Sequence, residues 1–111
     1  GLWGIELVLD GALEVEEFAI GGELEQPQLT AQRTLMLGTG DAAVFTGRRY
    51  AHRCRNLSPT RPALSLHVYG GDFFAEGRSE WDPETLHEQP YDVAAAIRLF
   101  EDSNAAIARA Q

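Results

Sequence analysis

The stretch HRCRNLSPTRPALSLHVYGGDF, residues 52 to 73, shows most clearly how this chain is built. In its second half Ser65, His67 and Tyr69 are separated from one another by a leucine or a valine. Side chains at every second position of a β-strand point to the same face. The run therefore predicts a strand with one apolar face and one face of hydroxyl and imidazole groups, which donate and accept hydrogen bonds. Such a polar face either meets solvent or lines a reactive cavity.

The first half of the stretch alternates in the same way. One face of a strand over residues 50 to 56 carries Tyr50, His52, Cys54 and Asn56. The other face carries Arg53 and Arg55, and if these arginines meet water then His52 points inward. An inward histidine needs a partner, either a hydrogen bond from a neighbouring strand or a metal ion. A lone histidine favours the hydrogen bond, whereas two histidines on neighbouring strands favour a functional site.

Turn signals divide the preceding residues into further short strands. Asp10-Gly11 and the segment 38–41 are typical of tight turns, and the segment 21–28, which contains Pro27, is predicted to be a loop. The remaining predicted strands cover residues 2–10, 13–20, 29–37 and 42–46. Short strands at this spacing are typical of an antiparallel sandwich or barrel.

The C-terminal end changes character. Residues 80–84 are predicted to form a loop, and a helix is expected after Pro90 with Asp92 as its cap. Apolar residues follow at helical spacing, namely Val93, Ile97 and Phe100. The segment 102–104 (Asp-Ser-Asn) is expected to interrupt this helix. The helical tail is expected to pack on the outside of the sheet.

Length and charge restrict the class of protein. At 111 residues the chain is long enough for one modest core. A net charge of −8 argues against nucleic acid and against anionic membrane surfaces as partners. No apolar run approaches the roughly 20 residues of a membrane helix, and no secretory leader is recognised.

The one cysteine, the acidic group near the N-terminus and the third histidine are not assigned functional roles. Cys54 is the one cysteine, which excludes an internal disulfide and fits a cytoplasmic location. We interpret it as a small buried hydrophobe rather than a reactive thiol. The acidic group Glu14, Glu16 and Glu17 is interpreted as a solvated face, and His87 as a surface residue.

The stretch resembles a known family. Gly40-Asp41 followed by His52 and Asn56 resembles the second cupin motif. A closer resemblance is to the thiol dioxygenase, or cysteine dioxygenase-like, branch of the cupins. That branch carries His-Arg-x-x-Asn and, thirteen residues after the histidine, Ser-x-His-x-Tyr. His52 and Ser65 have this separation, and the resemblance covers roughly residues 1 to 74.

The resemblance implies a fold and a metal site. The fold is an all-β cupin double-stranded β-helix, or jelly-roll barrel, with a C-terminal α-helical tail. Residues 1–78 would form the barrel portion without its N-terminal strands, and residues 79–111 the loop and the helix. The family holds Fe(II) with three histidines, of which His52 corresponds to the third. The other two would precede Gly1, and we expect such upstream residues because the chain opens without Met inside a predicted strand.

The resemblance also implies roles for the polar row. Tyr69 would place its hydroxyl near the substrate and oxygen, His67 would hydrogen-bond that hydroxyl, and Ser65 would orient His67. Mammalian members link a cysteine to this tyrosine. Gly4 stands at the cysteine position here, so no crosslink is expected.

The implied activity is oxidation of a small thiol acid, of the cysteine or 3-mercaptopropionate type, to a sulfinate with O₂. Two alternatives stay open, namely another metal-dependent cupin enzyme and a non-catalytic cupin that binds a small ligand. Cupins often pair through sheet edges or tails, which makes a homodimer an expectation of the resemblance.

Overall fold

A computed structural model describes residues 2–23, 26–46, 50–72 and 79–110, with only the backbone for residues 23, 26 and 50. The chain divides into two compact units, Gly1–Gly77 and Arg78–Gln111. The first unit contains the strands β1 (Trp3–Asp10), β2 (Leu13–Glu23), β3 (Gln26–Leu37), β4 (Ala42–Thr46), β5 (Tyr50–Asn56) and β6 (Leu64–Gly70). The described chain is therefore mostly β with one C-terminal helix, as the sequence predicts.

The strands of the first unit form two antiparallel three-stranded sheets. Their orders are β4-β1-β6 and β3-β2-β5. The buried core draws on both sheets and consists of Val8, Leu13, Val15, Leu37, Ala43 and Phe45. The two sheets thus pack face to face, and we call the side of each sheet that faces this core its inner face. Among the described residues the sheets do not close into a barrel, so a sandwich-like packing is observed and a cupin barrel is not confirmed.

The predicted loop over residues 21–28 is wrong at residues 21–23 and 26–28, and residues 24 and 25 lie outside the described part of the chain. β2 continues to Glu23 and β3 begins at Gln26, with Gly22 opposite Pro27. Proline lacks the N–H that an interior strand must donate, but β3 lies at the edge of its sheet, where proline is tolerated. Pro27 therefore does not break the strand.

The outer face of sheet β4-β1-β6 is apolar. Large hydrophobic residues are exposed there, namely Trp3, Leu9, Val44, Leu64, Leu66 and Val68. Trp3 lies opposite Gly70, and a Cβ at position 70 would overlap the Trp3 indole. A larger residue at position 70 would therefore displace the Trp3 indole from its present position.

The second unit contains a hairpin and a helix. Part of the predicted loop 80–84 is instead strand β7 (Ser79–Trp81), which pairs with β8 (Glu88–Pro90). The side chains of Glu80 and Gln89 are hydrogen-bonded across the pair at 3.0 Å. This cross-strand contact is not visible in local sequence. His87 is exposed, as predicted.

Helix α1 (Val93–Ala110) begins as predicted, because the Asp92 carboxylate accepts a hydrogen bond from the Ala95 N–H at 2.8 Å. The expected interruption at 102–104 is wrong, since the helix runs through it. Asp, Ser and Asn only weaken a helix and the neighbouring alanines favour it, whereas a break generally requires Pro. Within the described ranges no helix has both the length and the apolar character needed to cross a membrane.

Candidate functional site

The polar row of β6 lies on the inner face of its sheet. In the register with β1, His67 stands opposite Glu6, Tyr69 opposite Gly4 and Ser65 opposite the core residue Val8. Directly opposed residues of antiparallel strands share a face. The hydroxyl and imidazole groups therefore lie on the inner face, at its open side, because His67 and Tyr69 are themselves exposed. The leucine and valine row of β6 is exposed on the outer face.

His67 connects the polar groups of this row. Its Nδ1 lies 3.4 Å from the Tyr69 hydroxyl, and its Nε2 lies 3.1 Å from the Ser65 hydroxyl. The Glu6 carboxylate also approaches Nε2, at 3.2 Å. With the proton on Nε2, the ring donates to Glu6 and accepts from Tyr69 at Nδ1. The contacts implied for Ser65, His67 and Tyr69 are thus present, with Glu6 in addition.

Glu6 is not among the site residues predicted from the sequence. Its side chain is 1% exposed, in the middle of β1. The run around it was interpreted only as an apolar strand, but period two places position 6 on the same face as the core residue Val8. A single acidic residue on the buried face of an apolar strand is the signal that could have identified it.

Strand β5 brings His52 and Cys54 to the same inner face. The His52 ring stacks on Phe45, with 4.0 Å between ring centroids and 4° between their planes. The Cys54 thiol donates a hydrogen bond to Glu6 Oε2 at 3.1 Å. Arg53 and Arg55 are exposed on the opposite face, so the predicted orientation of this strand is confirmed.

The interpretations of Cys54 as a buried hydrophobe and of Glu17 as a solvated residue are both wrong. Cys54 is exposed as a residue rather than a buried hydrophobe, but its thiol is partly buried where it meets the Glu6 carboxylate. Glu17 is 3% exposed rather than solvated, because it lies opposite His52 and forms an ion pair with Arg33. The remaining acidic side chains of the group pair with arginines across the outer face, Glu16 with Arg53 and Glu14 with Arg55.

The surroundings change the protonation of two groups. Burial lowers the pKa of the His52 imidazole, and the nearby Glu6 carboxylate opposes this only in part. His52 is therefore neutral at pH 7. Burial and the hydrogen bond to Glu6 raise the pKa of the Cys54 thiol to about 12. The thiol is accordingly protonated at neutral pH, which argues against the reactive-thiol interpretation.

The lowered pKa of His52 predicts a pH dependence of stability. Below the ordinary value of 6.5 the unfolded chain takes up a proton at this residue before the folded chain does. The free energy of unfolding should thus fall as the pH drops from 6.5 toward the folded pKa, by at most about 1.4 kcal/mol per pH unit from this one group. Urea unfolding at several pH values between 5 and 7.5 measures this dependence of the free energy of unfolding on pH. His52→Gln should flatten the dependence, and an unchanged slope in that variant would contradict the assignment.

Three side chains of the inner face could hold a metal ion. One ligand atom each from Glu6, His52 and Cys54 lies within 4.8 Å of the other two. Of the three histidine ligands implied by the resemblance, only His52 is in this chain. His67 is engaged by Glu6 and Tyr69 instead. The residues beside His52 nevertheless fit a divalent transition metal, because carboxylate, imidazole and thiolate all ligate such ions.

The asparagine of the His-x-x-x-Asn motif has a different role. Asn56 donates to the Arg61 carbonyl at 2.8 Å and accepts from the Ser58 N–H at 3.0 Å. It closes the turn after β5 and borders a cleft that Asp10 and Thr39 also line. The cleft has no histidine, cysteine or tyrosine among its described lining residues, so the inner face is the stronger candidate site.

The candidate site thus combines the four predicted residues His52, Ser65, His67 and Tyr69 with the unpredicted Glu6 and Cys54. The predicted catalytic and metal-binding roles of the first four stay predictions. Comparison of the chain with protein-family models, with curated proteins and with solved structures found no match. Its function is accordingly inferred from its own residues and contacts.

Proposed function

We propose that this chain is part of a thiol dioxygenase-like cupin, an iron-dependent enzyme that oxidises a small thiol acid to a sulfinate. The observation that carries the proposal is the row Ser65, His67 and Tyr69 on the inner face, with His52 on the facing sheet. His67 is close enough to His52 to contribute to the lowered pKa of the His52 imidazole. The proposed reaction requires a neutral imidazole that can bind iron, here His52, and nearby groups that can donate or accept a proton, here His67 and Tyr69.

The strand connections support a jelly roll for this chain. β1 pairs with the distant strands β4 and β6, and β2 pairs with β5. Strands that are far apart in sequence are therefore neighbours in two facing sheets. Double-sheet jelly rolls, the architecture of the cupins, arise from such Greek-key connections. The pairing favours a cupin over a simple meander of hairpins.

The position of Gly4 also supports the resemblance. A Cβ at position 4 would lie 3.2 Å from a Tyr69 ring carbon. The family places at this position the cysteine that is linked to the tyrosine. The match of position 4 to that cysteine depends on sequence alone. The closeness of position 4 to the Tyr69 ring is therefore independent support for the resemblance.

Bound iron would supply the centre at which the thiol and O₂ react, with His52 as a ligand. The chain's own groups hold a proton beside it, because the Tyr69 hydroxyl is placed by His67, and His67 by Glu6 and Ser65. The overall reaction is R–SH + O₂ → R–SO₂H. Sulfur loses four electrons to the one O₂ molecule, and both oxygen atoms end on sulfur.

The proposal is tested on the full-length natural protein by its iron content and by oxygen uptake with cysteine and with 3-mercaptopropionate. We expect close to one iron per chain and thiol-dependent uptake, with both lost in His52→Ala. Tyr69→Phe should keep the iron and lower kcat by on the order of 100-fold, as expected for loss of a positioned proton donor.

Arg55→Gln is the matched control, because Arg55 is on the same strand as His52 but on the exposed face. It should leave iron content and uptake unchanged. Absence of iron and of uptake in the natural protein would refute the dioxygenase proposal and favour a ligand-binding cupin. Uptake that persists in His52→Ala would refute it as well.

A further inference from the structure

We propose that Glu6, His52 and Cys54 together bind one divalent transition-metal ion through carboxylate, imidazole and thiolate groups. Their ligand atoms all lie within 4.8 Å of one another. The inference deepens the proposed function and rests on it in one respect, since His52 is also the ligand assigned to the iron of the proposed dioxygenase. It differs from the resemblance in the other ligands, because Glu6 and Cys54 would complete a three-ligand set within this chain in place of the two upstream histidines.

The three ligands come from both sheets. Glu6 is on β1, in the sheet β4-β1-β6, whereas His52 and Cys54 are on β5, in the sheet β3-β2-β5. The two β5 residues are two positions apart and so share one face. An ion bound by all three would therefore bridge the facing sheets at the opening of the inner face.

The spacing is suitable for one ion. Bonds of about 2.0 to 2.3 Å to nitrogen, oxygen and sulfur place tetrahedral ligand atoms about 3.3 to 3.6 Å apart. Cys54 Sγ and Glu6 Oε2 are already 3.1 Å apart, joined by the thiol proton. Replacing that proton by a metal ion needs little movement of either side chain. Small rotations about side-chain bonds would bring the remaining atom pairs from at most 4.8 Å to this range.

The charge of Glu6 favours a cation at this point. Its carboxylate is buried, and its described partners are the Cys54 thiol and the His67 imidazole. Among the described residues no arginine pairs with it, and the sequence contains no lysine. Burying a carboxylate without a permanent counter-charge is unfavourable for the folded chain. One carboxylate and one thiolate would together neutralise a divalent ion, with the thiol proton released to solvent.

The ligand set also restricts the metal and its use. Thiolate and imidazole with one carboxylate suit Zn²⁺, Co²⁺ and Fe²⁺ and disfavour Mg²⁺ and Ca²⁺. Three protein ligands leave at least one position for water or a substrate. A substrate thiol would be the ligand for that position, and the exposure of Cys54 shows that solvent reaches this part of the inner face.

Co²⁺ is the probe that distinguishes these ligands, because a thiolate bound to Co²⁺ gives charge-transfer absorption in the near ultraviolet. The natural protein is stripped of metal with a chelator and titrated with Co²⁺ without oxygen. We expect one Co²⁺ per chain with this absorption. Cys54→Ser should abolish the absorption, and it should fold normally because Cys54 is exposed. Glu6→Gln should weaken Co²⁺ binding by at least about tenfold.

Glu14→Gln is the matched control, since Glu14 is on the outer face and pairs with Arg55. It should leave the titration unchanged. Co²⁺ bound without charge-transfer absorption, or absorption that persists in Cys54→Ser, would overturn the inference while leaving the dioxygenase proposal standing. Thiolate-bound Co²⁺ in a protein whose iron form takes up no oxygen would support the site and refute the dioxygenase.

Discussion

Cys54 of the metal-free protein is expected to react with iodoacetamide about a hundredfold more slowly at pH 8 than the same cysteine in the unfolded chain. Burial and the Glu6 carboxylate raise the pKa of the thiol to about 12. The thiolate is the reactive species, and its fraction at pH 8 is then more than about a thousandfold below that of an ordinary cysteine. The greater nucleophilicity of a more basic thiolate offsets part of this difference, by roughly one to two orders of magnitude.

The cause of the slow reaction is tested by Glu6→Gln. Glutamine keeps the size of the side chain but removes the negative charge that opposes the thiolate, so alkylation should accelerate. Glu14→Gln again serves as the control, because Glu14 lies on the outer face. The rate of alkylation is measured by mass spectrometry for the folded protein and, as the reference, for the same protein unfolded in urea. Equal rates in the folded and unfolded chain would show that Glu6 does not hold the thiol.

Phe45→Ala is expected to lower the free energy of unfolding by about 3 to 5 kcal/mol. Phe45 is buried in the core between the two sheets, and alanine would leave a cavity there. The same change removes the ring on which His52 stacks. Greater exposure of His52 to water should therefore return its lowered pKa toward the ordinary value.

Val44→Ala is the matched control for this prediction. Val44 directly precedes Phe45 on β4 but points outward and is 60% exposed. Its truncation should change stability by no more than about 0.5 kcal/mol. Urea unfolding of both variants measures the loss of stability, and NMR titration of the His52 imidazole measures the change in its pKa. Similar losses in both variants would show that Phe45 is not part of a packed core.

The alternation of polar and apolar residues was sufficient to predict several features. It correctly assigned the two faces of β5, with Arg53 and Arg55 outward and His52 inward. It also placed Ser65, His67 and Tyr69 on a single face. These predictions depend only on the period of a strand, which local sequence carries.

Longer-range features were not predictable in this way. Local sequence predicts that Pro27 breaks the strand, but an edge strand tolerates proline. Local sequence also predicts a solvated Glu17, but its burial follows from β2 pairing with β5 and from the ion pair with Arg33. In each case the deciding neighbour belongs to another strand, and local composition does not identify which strand that is.

The sequence by itself determined the mostly β class, the capped C-terminal helix and the row of hydroxyl and imidazole groups, because all three follow from local periodicity and capping. Only the tertiary structure decided that this row is on the inner face and that Glu6 is its buried partner. Glu6 meets Cys54 across 48 residues of sequence and across the two facing sheets, so this contact depends on how the sheets pack rather than on the residues beside it. The proposed metal site is a consequence of that packing.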